Sequence, residues 1–243
     1  MREDITTIPI TDVFEPRDGC PLCRMRDMLE ERSTVYITGA AMMEPDVRIK
    51  TNEAGFCRRH FGMMVSCGTR LSNALILQSH LDKIRTELIP KDVKGKPDKK
   101  KLAAVKKLTQ TCFCCDQVNW GMEHMFQTIF SSYSNDPDFR TLYNSQQFIC
   151  LEHFSDLMTA AMNRGISSKM LPQFYSDTSK LCGGYLEELY GDVSHFCTMF
   201  DYRSKGQSWG NSKDAIERSI EFLTSEHIDP PADVKGGSKG TQQ

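Results

Sequence analysis

Apolar residues in this chain recur mostly at intervals of three and four, and alternation at every second position is rare, so the pattern points to helices with no convincing pair of strands. A lead-in over residues 1–19, carrying Pro9, Pro16 and Gly19, is expected to be extended. A helix then opens at Pro21 and presents Leu22, Met25, Met28 and Leu29 at helical spacing. Gly39 and Glu44-Pro45-Asp46 break it, and a short polar connection leads to Gly55-Phe56-Cys57. From about Arg58 to Leu88 the periodicity predicts one long helix, with Phe61, Met64, Val65, Leu71, Leu75, Ile76 and His80 near one stripe and Pro90 ending it.

The run from Pro90 to Lys107 is lysine-rich and contains Gly95 and Pro97, so residues 91–107 read as a solvated linker. Beyond it the pattern restarts. Helices are expected over Val118–Tyr133, from Phe154 to about Arg164 with Gly165 interrupting, over residues 170–200, and from Lys213 to Ser225. Leu171, Phe174, Tyr175, Leu181, Tyr185, Leu186, Leu189 and Phe196 supply the apolar face of the longest of these. Residues 230–243 consist mainly of Gly, Ser, Lys, Gln and other polar types and are expected to be a disordered tail. The organisation read from the chain is therefore a first helical half, 1–90, the linker 91–107, a second helical half, 108–229, and the tail.

A four-ligand signature marks both halves. Cys20-Pro21-Leu22-Cys23 is followed, after residues 24–56, by Cys57-Arg58-Arg59-His60; Cys112-Phe113-Cys114-Cys115 is followed, after residues 116–149, by Cys150-Leu151-Glu152-His153. Three thiols and one imidazole form the closed tetrahedral set of a structural zinc site. Read within each half, the metal ligands are Cys20, Cys23, Cys57 and His60 for one zinc ion, and Cys112, Cys115, Cys150 and His153 for a second. Iron–sulfur ligation is the secondary reading. Residues three apart share a face in a first helical turn, and a helix N-terminus favours thiolate, so each CxxH can aim both side chains at one ion. The expected fold is all-α: two pseudo-repeated zinc-pinned helical hairpins plus C-terminal helices. Cys114 sits beside Cys115 and competes with Cys112 for the ligand role; the register of the first CxxC favours Cys112. Cys67 and Cys182 read as core thiols, and His80 and His124 as core or surface residues. Arg58 and Arg59 are expected to face solvent or to make the first zinc corner basic.

Composition narrows the classes of function. The chain has 243 residues, ten of them cysteine, a cysteine density too low for a disulfide-stapled miniprotein. Met1-Arg2-Glu3-Asp4 lacks the basic start and apolar run of a signal peptide, and no apolar stretch reaches membrane-spanning length, so a cytoplasmic location without membrane insertion is expected. A net charge of −2 and pI near 6.3 give no global reason to bind nucleic acid. One further cluster, His195-Phe196-Cys197-Thr198-Met199-Phe200-Asp201-Tyr202-Arg203, holds reactive side-chain types; it reads first as a helix end with inward aromatics and second as a catalytic patch.

The stretches Ile8-Pro9-Ile10, Cys20-Pro21-Leu22-Cys23, Met43-Glu44-Pro45-Asp46-Val47-Arg48, Gly55-Phe56-Cys57-Arg58-Arg59-His60-Phe61, Phe148-Ile149-Cys150-Leu151-Glu152-His153-Phe154 and Phe200-Asp201-Tyr202-Arg203 resemble a bacterial family of unknown function found mostly in anaerobes. The resemblance implies a similar helical metal-binding fold and no assigned activity. The second copy departs from the first at Glu152, where Arg59 stands, and in its extra Cys114. The leading expectation is a zinc-binding helical protein that acts as a binding module for a protein or small-molecule partner. A thiol or zinc sensor using Cys114 and an enzyme using His195–Arg203 are the alternatives.

Overall fold

The computed structural model describes residues 10–89, 91–92 and 95–227, and among these the regular structure is helical without a strand. Eleven α-helices follow one another: α1 Ile10–Phe14, α2 Pro21–Thr38, α3 Pro45–Ala54, α4 Arg58–Cys67, α5 Arg70–Lys83, α6 Lys99–Leu108, α7 Phe113–Asn135, α8 Pro137–Asn144, α9 Leu151–Ala160, α10 Leu171–Thr198 and α11 Ala215–Thr224. No described helix is long and apolar enough to cross a membrane. The chain divides into two compact units. The first comprises Arg24–Ile129 with the described residues up to Val13; the second comprises Phe14–Cys23 with the described residues from Phe130 onward.

In the first unit a core of Ile37, Ala41, Phe56, Met64, Ile76, Cys112, Phe113 and Cys114 forms one cluster, against which Met42, Val47, Phe61 and Cys115 pack. Two polar stitches hold its helices together. Arg48 on α3 donates to the carbonyls of Met42 and Leu75 and to Ser79 Oγ, and Asn73 on α5 donates to Met64 O at 2.9 Å. Two contacts join the end of α3 to the start of α7: Thr111 Oγ1 donates to Ala54 O at 2.7 Å, and Phe113 N to Gly55 O at 2.9 Å. Gly55 makes the second possible, because its φ of +64° is a conformation L side chains rarely adopt.

In the second unit an aromatic core stacks edge to face. Phe130, Tyr133, Tyr143 and Phe174 meet with centroid separations of 4.8–5.5 Å, and Phe14 packs on Tyr143 and Phe139. The hydroxyls of the two buried tyrosines are satisfied, Tyr133 Oη by Asp177 at 2.6 Å and Tyr143 Oη by Thr178 at 2.8 Å. Phe148 lies flat on Tyr185 at 4.0 Å, with Phe222 of α11 against both. The segment Phe14–Cys20 is tied to the α8–α9 connection: Gln146 Nε2 donates to Phe14 O at 2.7 Å and Gly19 N to Gln147 Oε1 at 2.8 Å.

Several expectations need correction. The lead-in contains a helix, Ile10–Phe14, rather than extended chain throughout, and residues 1–9 lie outside the described residues. The polar connection before Gly55 is a ten-residue helix started by Pro45, whose missing N–H costs nothing in a first turn. The single long helix from Arg58 is two helices and a π-helical turn at Ile84–Leu88. It breaks at Gly68, where a Cβ would stand 2.7 Å from the Thr38 side chain, and Thr69 caps α5 by accepting from Ser72 N. As a result Met64, Ile76 and His80 are buried while Val65 and Leu71 of the proposed stripe face solvent. In the lysine-rich stretch, Lys99–Leu108 is helical because Asp98 accepts from the N–H groups of Lys100 and Lys101 and because Lys, Leu and Ala favour helix; Gly95 and Pro97 break the chain only before that cap. The tail 230–243 lies outside the described residues.

Candidate metal centres

Four chain segments deliver eight ligands by one local device. In each, the first ligand stands immediately before a helix and the second in its first turn: Cys20 and Cys23 at α2, Cys57 and His60 at α4, Cys112 and Cys115 at α7, Cys150 and His153 at α9. The two CxxH motifs have the same backbone, with Cys57 at φ −76°, ψ 166° and Cys150 at φ −68°, ψ 163°. Both cysteines accept the first helical hydrogen bond, from Phe61 N and Phe154 N at 2.9 Å. Such a turn directs the side chains at positions one and four to the same side, and the unpaired N–H groups of the helix start favour negative sulfur.

The segments combine across the sequence rather than within its halves. Cys20 and Cys23 meet Cys150 and His153 in the second unit, and Cys112 and Cys115 meet Cys57 and His60 in the first. In each group all four ligand atoms lie within 4.8 Å of one another, so each could hold a metal ion. The pairing of each CxxC with the next CxxH along the chain is therefore corrected. The physical reason lies in the contacts described above. Gln146 and Gln147 hold the segment leading to Cys20 beside Cys150, and the Gly55 carbonyl receives Phe113 N–H, which sets Cys112 beside Cys57.

The spacing is close to that of a compact tetrahedral site. With Zn–S near 2.3 Å and Zn–N near 2.0–2.1 Å, a tetrahedron has sulfur–sulfur edges of about 3.8 Å and sulfur–nitrogen edges of about 3.6 Å. In the Cys57/His60 centre, His60 Nδ1 is 3.2 Å from Cys57 Sγ and 3.4 Å from both Cys112 Sγ and Cys115 Sγ, and the Cys57 and Cys115 sulfurs are 3.9 Å apart. In the Cys150/His153 centre, His153 Nδ1 is 3.0 Å from Cys150 Sγ, 3.4 Å from Cys23 Sγ and 3.8 Å from Cys20 Sγ, and Cys23 and Cys150 are 3.6 Å apart. Both imidazoles are buried and both present Nδ1.

Without an ion, such clusters distribute protons unevenly. Hydrogen bonds from Cys20 and then Cys23 pull the Cys150 thiol far below its ordinary range, while the bond to Cys150 pushes Cys23 up. Burial alone would lower His153, but contacts with Cys150 and Cys20 outweigh it and push the imidazole up to about 10. In the other centre a bond from Cys114, opposed by burial and helped by His60, takes Cys112 down to about 2. Cys114 is correspondingly raised, first by its interaction with Cys112 and then by burial. It is fully buried and stands outside the ligand group, which has Cys112 in the position favoured by the sequence.

Contacts one layer out were not legible from motif spacing. Glu30 on α2 faces His60 Nε2 and pairs with Arg59. Ser225, the C-cap of α11 at φ 57°, places its hydroxyl 2.9 Å from Cys150 Sγ. Both lie far in sequence from the ligands they contact; only the helix-ending position of Ser225 offered a signal. Arg59, expected to be solvent-facing or simply to lend positive charge, is instead paired with Glu30 at 2.6 Å and Asp27 at 3.6 Å.

The remaining candidates lie elsewhere. Cys182 is buried as expected, but Cys67 is exposed, with its sulfur 3.8 Å from Thr38 Oγ1. His80 is buried, and His124 is exposed and rests on Trp120 at a 4.0 Å centroid distance. In the His195–Arg203 segment His195 Nε2 lies 3.1 Å from Ser208 O, Asp201 accepts from Arg203 N, and Arg203 lies over the Tyr202 ring. Phe196 and Phe200 pack with Trp209, while Cys197 and Tyr202 face solvent. These partners are local, and the segment presents an exposed surface rather than side chains gathered around one point.

A family model described as Family of unknown function (DUF6062) matches residues 1–230. No curated protein and no solved structure matches the chain.

Proposed function

We propose that this chain, which belongs to the Family of unknown function (DUF6062), is a cytoplasmic helical zinc protein whose two ions are structural and whose work is binding a protein or small-molecule partner. The observation that carries the zinc reading is the pair of largely buried Cys3His groups, whose Cys23–Cys150 and Cys57–Cys115 sulfur separations of 3.6 and 3.9 Å lie near the edge of a zinc tetrahedron. Four protein ligands fill such a site, leaving no position for water or substrate, which argues for a structural and against a catalytic ion. Zinc would supply binding free energy on the order of 10 kcal/mol per site to the folded state. The thiol chemistry of the ligands favours a reducing compartment, hence the cytoplasm. The binding role draws support from exposed side chains that the metal centres leave unused, among them Phe200, Tyr202 and Tyr190.

The sensor alternative draws less support, because Cys114 is sealed from solvent where an oxidant would have to reach it. Elemental analysis of protein purified without added metal tests the zinc reading, and cobalt substitution reports the ligand set. Two zinc ions per chain and a tetrahedral sulfur-rich cobalt spectrum are expected; iron with visible absorbance, or no metal, would refute it. For the binding role, partners co-purifying with wild type should be lost from a Phe200→Ser, Tyr202→Ser variant that keeps its zinc.

A further inference from the structure

The two centres have the same ligands and different surroundings. Behind His60 lies Glu30, a carboxylate only 5% exposed on α2. Its Oε2 pairs with Arg59 at 2.6 Å, and Arg59 reaches Asp27 as well at 3.6 Å. Its Oε1 stands 3.6 Å from His60 Nε2, a ring nitrogen that is buried and makes no hydrogen bond of normal length. A buried carboxylate is costly unless compensated, and here Arg59 compensates one oxygen and leaves the other directed at the imidazole.

Arg59 lies between the ligands Cys57 and His60 in sequence, so the helical turn that aims the ligands also positions the cation that fixes the carboxylate. The Cys150/His153 centre is built otherwise. Glu152 takes the position of Arg59, and the Ser225 hydroxyl contacts Cys150 Sγ. An imidazole that binds through Nδ1 must carry its proton on Nε2, and a carboxylate facing Nε2 selects that tautomer, fixes the ring plane and makes Nδ1 a better donor.

We propose that Glu30, held by Arg59, is a positioning residue for His60: it fixes the imidazole so that Nδ1 faces the sulfurs of Cys57, Cys112 and Cys115, and thereby slows the release of metal from this centre. The proposal rests on the zinc reading of that centre. A partner of this kind changes metal affinity by about 10- to 100-fold when removed.

The test follows zinc release from the full-length, zinc-loaded protein to a chromogenic chelator, with the two phases assigned through Cys57→Ser and Cys150→Ser. Glu30→Ala should accelerate release from the Cys57/His60 centre by about 10- to 100-fold and shift its cobalt absorption bands, leaving the other centre unchanged. Glu30→Gln, whose amide oxygen can still accept from Nε2–H, should restore much of the slow phase. Unchanged release in Glu30→Ala would overturn the proposal. Equal acceleration at both centres would overturn it too, since Glu30 would then only support the fold. Absence of zinc from the wild type would instead defeat the metal reading on which it stands.

Discussion

The sulfurs of Cys23 and Cys150 lie 3.6 Å apart although 127 residues separate them in the chain. An ion held there would close a loop of that length, and the tie falls at the end of a short segment, Phe14–Cys23, that two glutamine contacts and the packing of Phe14 also secure. Removing the ion should release this segment first. Chelation is expected to raise the rate of trypsin cleavage after Arg17 well before the helical signal is lost, and mass spectrometry of the fragments will show it.

Metal binding should release protons. In the ion-free cluster His153 is raised to about 10 and Cys23 is raised as well, so at pH 7 both hold protons that an ion must displace. Zinc affinity therefore rises with pH across the neutral range and falls on acidification. Calorimetric titration of the apoprotein with zinc in buffers of different ionisation enthalpy should give a positive proton count at pH 7 that declines toward pH 10.

Gly165 ends the π-helical turn after α9, and a Cβ there would stand 2.6 Å from Phe130 Cδ2 and 2.7 Å from Ala160 O. A backbone oxygen cannot move aside and Phe130 is locked among aromatics, so Gly165→Ala should destabilise the protein by about 1–3 kcal/mol. Thermal unfolding of the zinc-loaded variant checks this, with Gly183→Ala, where nothing lies within 4 Å of the added carbon, as the control.

Ser225 joins two roles that substitution can separate. Its left-handed backbone favours glycine by about 1 kcal/mol, whereas its hydroxyl contacts Cys150 Sγ. Ser225→Gly should therefore melt no lower than wild type yet release zinc from the Cys150/His153 centre faster. Ser225→Ala should release zinc faster and also melt lower than Ser225→Gly. Release kinetics and unfolding midpoints on the same preparations distinguish the two.

Helical class, the long α10 and the eight candidate ligands were legible because each rests on local spacing. Leu171, Phe174, Leu181, Tyr185 and Leu189 fall three, four or seven residues apart, and a CxxC or CxxH needs only one helical turn to bring its pair together. What pairs with what was not legible, because it is decided by contacts such as Gln146 with Phe14 and Phe113 with Gly55, whose partners lie far apart in sequence and carry no motif. The break between α4 and α5 escaped periodicity for a related reason: Gly68 is required by its closeness to Thr38, a tertiary contact, while the apolar stripe runs on past it. Glu30 looked like any polar position on α2, and only the fold reveals the imidazole behind it.

Zinc stoichiometry in two double variants distinguishes the crossed pairing from pairing within each half. Cys20→Ser with Cys150→Ser removes two ligands from one centre and should leave one zinc ion per chain. Cys20→Ser with Cys57→Ser removes one ligand from each and should leave none. The reverse result, one ion retained in the Cys20/Cys57 variant and none in the Cys20/Cys150 variant, would show that each CxxC is joined to the next CxxH along the chain and would refute the crossed pairing.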